Sequence, residues 1–140
     1  MDFTSVRYAP VINCVLKHGG KILLVERNKE MRLYPGLWNG IAGFLDDGKT
    51  LEEKVQEEIK EETGLSKEHI VKIFKGTIFE AEDSAYDKVW IVHPVLVEVD
   101  TDKIKLDWEA EKYGWFAPAD IGNVKVVPGF DRVLKILKLT

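Results

Sequence analysis

Residues 43–65 read GFLDDGKTLEEKVQEEIKEETGL. Thr50 can cap a helix, and Glu53 stands three residues later, a capping-box spacing. The helix is expected to run to Thr63, with Gly64 as its left-handed stop. Leu51, Val55 and Ile59 recur every fourth position and give one narrow stripe for a core. With about 100° per residue and Glu58 at zero, Glu62 falls at about +40°, Glu61 at about −60°, Val55 at about +60° and Ile59 at about +100°. Glu58, Glu61 and Glu62 therefore share one face, with Glu62 beside the apolar stripe. Glu53 and Glu57 point elsewhere. Three carboxylates at i, i+3 and i+4 repel one another. At the edge of a core they call for a positive partner, and a hard divalent cation with oxygen ligands is the natural one. Taken alone, such a run more often means a solvated acidic face.

Outward from the helix, the pattern is one of strands. Val6 to Leu16 reads as a strand, His18-Gly19-Gly20 as a turn and Lys21 to Glu26 as the second arm of a hairpin. Arg27 to Asn39 is a long loop, a class that is often functional. Ile41 to Leu45 is a short strand, followed by the turn Asp46-Asp47-Gly48. Beyond the helix, Val71 to Glu82 and Tyr86 to Asp100 read as two longer strands around Asp83-Ser84. Val89 to Val92 has no polar face and is expected to be buried on both sides. Pro94 cannot donate to a ladder and marks a bulge or an edge. Tyr113 to Ala117 is a short strand and Pro118 to Ile121 a helical turn. Pro128-Gly129 opens a last helix whose Phe130, Val133, Leu134 and Leu137 fall at i, i+3, i+4 and i+7. A mixed sheet with helices on both faces would bury all of these apolar sides.

The chain has 140 residues, 45% of them hydrophobic and 31% charged, which is the composition of one globular domain spanning 1–140. Its net charge of −4 gives no chain-wide basic footprint for nucleic acid. No apolar run approaches the ~20 residues of a membrane helix. Met1 to Ser5 shows no secretory signal, and the lone Cys14 excludes an intrachain disulfide framework. A soluble chain of the reduced cytoplasm is expected, with a homodimer left open. Cys14 reads as a small core residue and Trp90 as core. His18, His69 and His93 are scattered and form no ligand set.

Residues 43–65 resemble the Nudix box, G-x5-E-x7-R-E-U-x-E-E-x-G-U with U aliphatic. Gly43 takes the first glycine, and Glu58-Ile59-Lys60-Glu61-Glu62-Thr63-Gly64-Leu65 fits the second half without a gap. The order of elements is similar to that fold across nearly the whole chain. Two positions depart: Lys49 stands where the family has Glu, and Glu57 where it has Arg. Both charges are reversed, so Lys49 and Glu57 are expected to form a reversed ion pair that keeps the loop docked. The family arginine helps to orient the catalytic glutamates, so its replacement bears on rate.

The resemblance implies an α/β (α+β) fold, an α/β/α sandwich with a mixed sheet between helices. It implies Mg²⁺ or Mn²⁺ held by Glu58, Glu61 and Glu62 with a main-chain carbonyl of Ala42 or Gly43. Catalysis falls to Glu58 and Glu61, with Glu109 as the better match for a further glutamate and Glu111 as its substitute. Gly40, Ala42 and Gly43 would let a pyrophosphate approach the backbone. Arg27 suits phosphate, and Trp38 and Tyr34 could stack on a flat group. The function implied is metal-dependent hydrolysis of a phosphoanhydride bond in a nucleoside diphosphate linked to another moiety, with a small-molecule diphosphate as the partner. The alternative is a catalytically weak nucleotide-binding module of the same fold. A weaker third reading is an isomerase of isoprenoid diphosphates, which would need a reactive cysteine where Cys14 looks wrongly placed.

Overall fold

The computed structural model describes residues 7–45 and 48–140. The leader reading of Met1 to Ser5, the strand start at Val6 and the turn residues Asp46 and Asp47 lie outside the described residues.

The central strand is β1 (Tyr8–His18). It forms a hairpin with β2 (Lys21–Arg27), but the two pair only at Lys17↔Ile22 and His18↔Lys21. Beyond that point they diverge, and β2 turns to pair with β8 (Ala110–Phe116) from Ile22↔Phe116 to Arg27↔Ala110. The next segment fills the wedge between the diverging strands. Its first part, β3 (Trp38–Asn39), pairs with β2, and its second part, β4 (Ile41–Phe44), pairs with β1. Gly40 is the hinge between them. A Cβ there would lie 2.5 Å from Asn13 Oδ1 and 2.8 Å from the Cys14 carbonyl oxygen, so only glycine fits.

The other edge of β1 pairs in parallel with β7 (Lys88–Val99) along Tyr8 to Lys17. Two strands share the far edge of β7, namely β5 (Ile70–Lys75) and β6 (Phe79–Asp83). One continuous strand from Val71 to Glu82 is thus corrected to two, and Pro94 supplies the reason. Its carbonyl accepts from the Gly76 N–H at 2.8 Å, so it faces β5 and β6. Its nitrogen faces the same way with no proton to give, and the partner bulges out at residues 76–78.

Helix α1 (Leu51–Thr63) carries the complete capping box, with Glu53 N–H donating to Thr50 Oγ1 and Thr50 N–H donating to the Glu53 side chain. Gly64 closes it at φ 76°. Its Val55 and Ile59 are fully buried against Ile12, Cys14, Leu16 and Val95 on one sheet face. Helix α2 (Phe130–Ile136) buries Phe130, Val133 and Leu134 on the other face, against Val15, Leu24 and Val92. The alternation along β1 sends Ile12, Cys14 and Leu16 to α1, and Val11 and Val15 to α2. This is the expected mixed sheet between helices. No helix among the described residues is long and apolar enough to cross a membrane.

The reversed pair forms as expected. Lys49 and Glu57 are in direct contact, tying the segment before α1 to the helix. Both side chains are partly exposed, so the pair contributes only about 0–1 kcal/mol and its role is to hold position.

Candidate active site

The burial of the α1 acids follows their helical angles. Glu62, beside the apolar stripe, is 7% exposed, whereas Glu61 faces solvent. Glu58 lies between them, with its side chain 12% exposed. The structure therefore brings Glu58 and Glu62 together and leaves Glu61 outside. The cause is geometric, since Glu61 lies on the opposite side of Glu58 from the core stripe. The Glu58 and Glu62 carboxyl groups are within hydrogen-bonding reach of each other. Desolvation, followed by the contact with Glu58, pushes the Glu62 carboxyl well above the ordinary carboxylate range. Burial also raises Glu58 and Glu109. Glu62 Oε2 is buried with no hydrogen-bond partner. A buried carboxylate oxygen without a donor is costly, and a cation beside it would remove the cost. Among the described residues no three His, Cys, Asp or Glu side chains are gathered tightly enough to hold an ion by themselves. The buried pair would need Glu61, a main-chain carbonyl or water to complete a coordination shell.

Positive charge reaches this pair from two directions. Lys54, one turn before Glu58 and itself buried, places its Nζ 3.4 Å from Glu58 Oε1. Arg27, at the end of β2, lies close enough to Glu62 and Glu109 for their charges to favour its ionised form, although burial lowers its pKa. Its Nε donates to the Leu33 carbonyl at 2.8 Å and so anchors the long loop.

Gly43 shows why a small residue stands there. A Cβ would fall 2.5 Å from Glu58 Cδ and 2.6 Å from Oε1. It is the Glu58 carboxylate, rather than open space for a ligand, that approaches this backbone. Gly43→Ala is expected to fold, because Glu58 can swing aside, but to lose most activity. Gly40→Ala meets the Cys14 backbone instead and should destabilise by about 1–3 kcal/mol. Thermal melts read beside activity separate the two outcomes. Equal loss of stability in both would contradict this reading of Gly43.

Glu58 and Glu109 line a cavity of about 470 Å³, whereas Glu61 and Glu62 do not. Lys54, Arg27, Ala42 and Gly43 line it with them. The rest is mainly apolar, lined by Val11, Phe44, Phe79, Trp90, Val92, Phe130 and Val133. Glu109 is among the lining residues, while Glu111 is exposed and accepts from the Lys29 N–H at 3.4 Å. Tyr34 is on the cavity wall with a left-handed backbone, φ 52°. Its hydroxyl donates to Asp83 Oδ2 at 2.5 Å and accepts from Trp90 Nε1 at 2.9 Å. Burial and Asp83 push that hydroxyl far above its ordinary range. Trp90 is thus core and cavity wall at once. The structure does not bring Trp38 to the cavity, because its ring stands edge-on to Phe116, 5.7 Å between centroids. Gly40 does not line the cavity either, and lies beneath Asn13.

Sequence reasoning passed over Asn13, Lys54 and Trp108, all of which line the cavity. Trp108 is 66% exposed at the rim beside Glu109. Its position one residue before a candidate glutamate was the available signal. Cys14 is fully buried, with its thiol pushed up by burial.

Comparison with known proteins places this geometry in a family. The chain is 28% identical over 109 residues to an isopentenyl-diphosphate Delta-isomerase of Kocuria rhizophila, covering 76% of this chain and 61% of that protein, so it spans under two thirds of that relative's length. It superposes on a MutT Nudix hydrolase of Burkholderia pseudomallei with a TM-score of 0.77 at 19% identity, covering 94% of this chain and 98% of the other. It also superposes on a bifunctional NMN adenylyltransferase/ADP ribose pyrophosphatase of Francisella tularensis, complexed with AMP and a manganese ion. That match has a TM-score of 0.76 at 19% identity and covers 94% of this chain and 41% of the other. The NUDIX domain model matches residues 7–135, and the chain belongs to the Nudix family.

Proposed function

We propose that the chain is a metal-dependent hydrolase, cleaving a phosphoanhydride bond in a nucleoside diphosphate linked to a further group. The observation that carries this is the orphan Oε2 of Glu62, buried beside Glu58, which itself lines an apolar cavity. Glu58 and Glu62 would hold Mg²⁺ or Mn²⁺, joined by Glu61 and a carbonyl of Ala42 or Gly43. The bound ion would draw charge from phosphoryl oxygens and offset what builds there. Glu109, raised by burial and by neighbouring acids, is suited to take a proton from an attacking water. Arg27 lines the same cavity and would meet a phosphate, and Tyr34 would shape the wall beside the leaving group. A manganese ion and AMP in the Francisella neighbour support both halves of this reading. A small-molecule diphosphate is the partner this site fits, and a reducing cytoplasm suits its free thiol.

The box arginine is missing, yet the acids do not lack cations. Lys54 stands on Glu58, and Arg27 stands near Glu62 and Glu109. That favours turnover over a binding-only module. The isomerase relative bears on the third reading, an isomerase of isoprenoid diphosphates. The chain's lone cysteine, Cys14, is sealed in the core and does not line the cavity, which speaks against it. The test is a panel of nucleotide sugars, dinucleotides and nucleoside triphosphates with Mn²⁺. Hydrolysis of at least one member, stopped by EDTA, is expected. A rise in melting temperature with nucleotide but no turnover across the panel would replace the hydrolase with the binding module.

A further inference from the structure

Glu109 stands outside any helix or strand. Residues 101–107 form neither, and Trp108 and Glu109 make a turn that ends where β8 begins, at Ala110. The ladder between β2 and β8 also slips here. It passes from Glu26↔Lys112 to Arg27↔Ala110 and leaves Glu111 as an extra residue. Asn28 follows β2 directly and takes over where the ladder stops. Its N–H donates to the Glu109 carbonyl at 2.8 Å, and its Nδ2 donates to the Trp108 carbonyl at 2.9 Å. Its Oδ1 accepts from the Glu30 N–H at 2.8 Å, and its own carbonyl accepts from the Met31 N–H at 3.0 Å. The amide can stand only this way round, because a main-chain N–H can only donate and a carbonyl can only accept. From the other side, Asp107 Oδ1 accepts from the Glu109 N–H at 3.1 Å. Asn28 therefore joins two segments of the cavity lining, Glu30 with Met31 and Trp108 with Glu109.

We infer that Asn28 is a positioning residue for Glu109: its side-chain amide, anchored on the Glu30 N–H, fixes the Trp108–Glu109 backbone and so keeps the Glu109 carboxyl in the cavity it shares with Glu58 and Arg27. This rests on the hydrolase reading, in which Glu109 takes a proton from the attacking water, and adds the residue that aims it. A general base contributes about 10²–10⁴-fold, but only within hydrogen-bond reach of its proton. A misplacement of about 1 Å can cost about a hundredfold. A carboxyl on an irregular segment needs such a hold more than one on a helix does, as Glu58 has. Asparagine suits the task because one short side chain offers both the acceptor for Glu30 and the donor for Trp108. Aspartate would keep the first bond and set oxygen against oxygen in the second. Alanine would lose both.

The test is a double-mutant cycle on the best substrate of the panel with saturating Mn²⁺. Asn28→Ala and Asn28→Asp are each made in the wild type and in Glu109→Gln, with enough enzyme to follow residual turnover. In the wild-type background both should lower kcat by about tenfold or more. KM, and the Mn²⁺ affinity read by calorimetric titration, should stay within about twofold. In Glu109→Gln neither should lower kcat further, because the group they aim is gone. Asn28→Asp keeps the turn to Glu30, so it decides the matter if Asn28→Ala melts below the assay temperature. An equal loss of kcat in both backgrounds, or a rise in KM at unchanged kcat, overturns the inference and leaves Asn28 a brace of the loop. A loss in Glu109→Gln with undiminished kcat in both Asn28 variants overturns it alone. Full turnover in Glu109→Gln overturns the role of Glu109 and the inference with it. Absence of turnover on the whole panel overturns the hydrolase reading beneath both.

Discussion

Replacing Glu62 by glutamine should cut hydrolysis by at least about a hundredfold while leaving the metal-free protein as stable as before, or more so. Even outer-shell partners of a metal site typically cost about 10–100-fold when removed, and Glu62 is proposed as a direct ligand. The stability half follows from its environment. The carboxyl is buried beside Glu58, with one oxygen unpaired. Glutamine is neutral, close in shape, and its amide can donate to Glu58, so the penalty of a buried acid disappears. Glu61→Gln should also abolish turnover, but because Glu61 is exposed it should leave the melting temperature where it was. Glu57→Gln, which breaks only the partly exposed pair with Lys49, should change activity little. Activity and thermal melts on the same preparations check all three. Full activity in Glu62→Gln would end the proposed role of the pair.

The metal-free protein should lose stability as pH rises, and Mn²⁺ should return it. Folding raises the Glu62 carboxyl well above its ordinary value of 4.5, chiefly by desolvation, and raises Glu58 and Glu109 in the same direction. The folded state therefore holds more protons than the unfolded one across the window between the two values. A raised acid contributes its stability fully below the unfolded value and loses it as pH climbs through the folded one. The melting temperature without metal should fall as pH climbs above the ordinary carboxylate value of 4.5. A cation on the ionised pair reverses the sign, so the Mn²⁺-induced rise should grow with pH and its binding should release protons. Glu62→Gln should flatten both trends. A metal-free melting temperature that climbs through this window, or an Mn²⁺ effect independent of pH, would contradict the arrangement. Differential scanning fluorimetry in chelated and Mn²⁺-loaded buffers makes the measurement.

Local features were legible in the sequence because they depend on near neighbours. The capping box of Thr50 and Glu53, the stop at Gly64, the burial of Glu62 beside Val55 and Ile59, and the pairing of Lys49 with Glu57 all lie within about two or three helical turns. Pro94 announced a break in pairing, but not which partner would break, because that depends on which edge its carbonyl faces. The division of residues 38–44 between β2 and β1 was hidden for the same reason, since it is a property of two strands diverging. The cavity was the least legible part. Asn13 and Asn39 are 26 positions apart, and Tyr34 and Asp83 are 49 apart. No local period links them. Trp38 misled because an aromatic in a long loop has no periodicity to show that it would pair with β2 and pack on Phe116. Lys54 was overlooked as one charge in a charged helix, although its angle, about −40° from Glu58, places it on the acidic face.

The central claim is that Glu58 and Glu62 are held together to receive a divalent cation. Anomalous scattering from crystals soaked in manganese tests it most directly. The expected result is a manganese peak coordinated by both carboxylates, with the unpaired Glu62 oxygen now a ligand. Crystals in which the ion is absent or lies elsewhere, with the two carboxyl groups still facing each other, would contradict it.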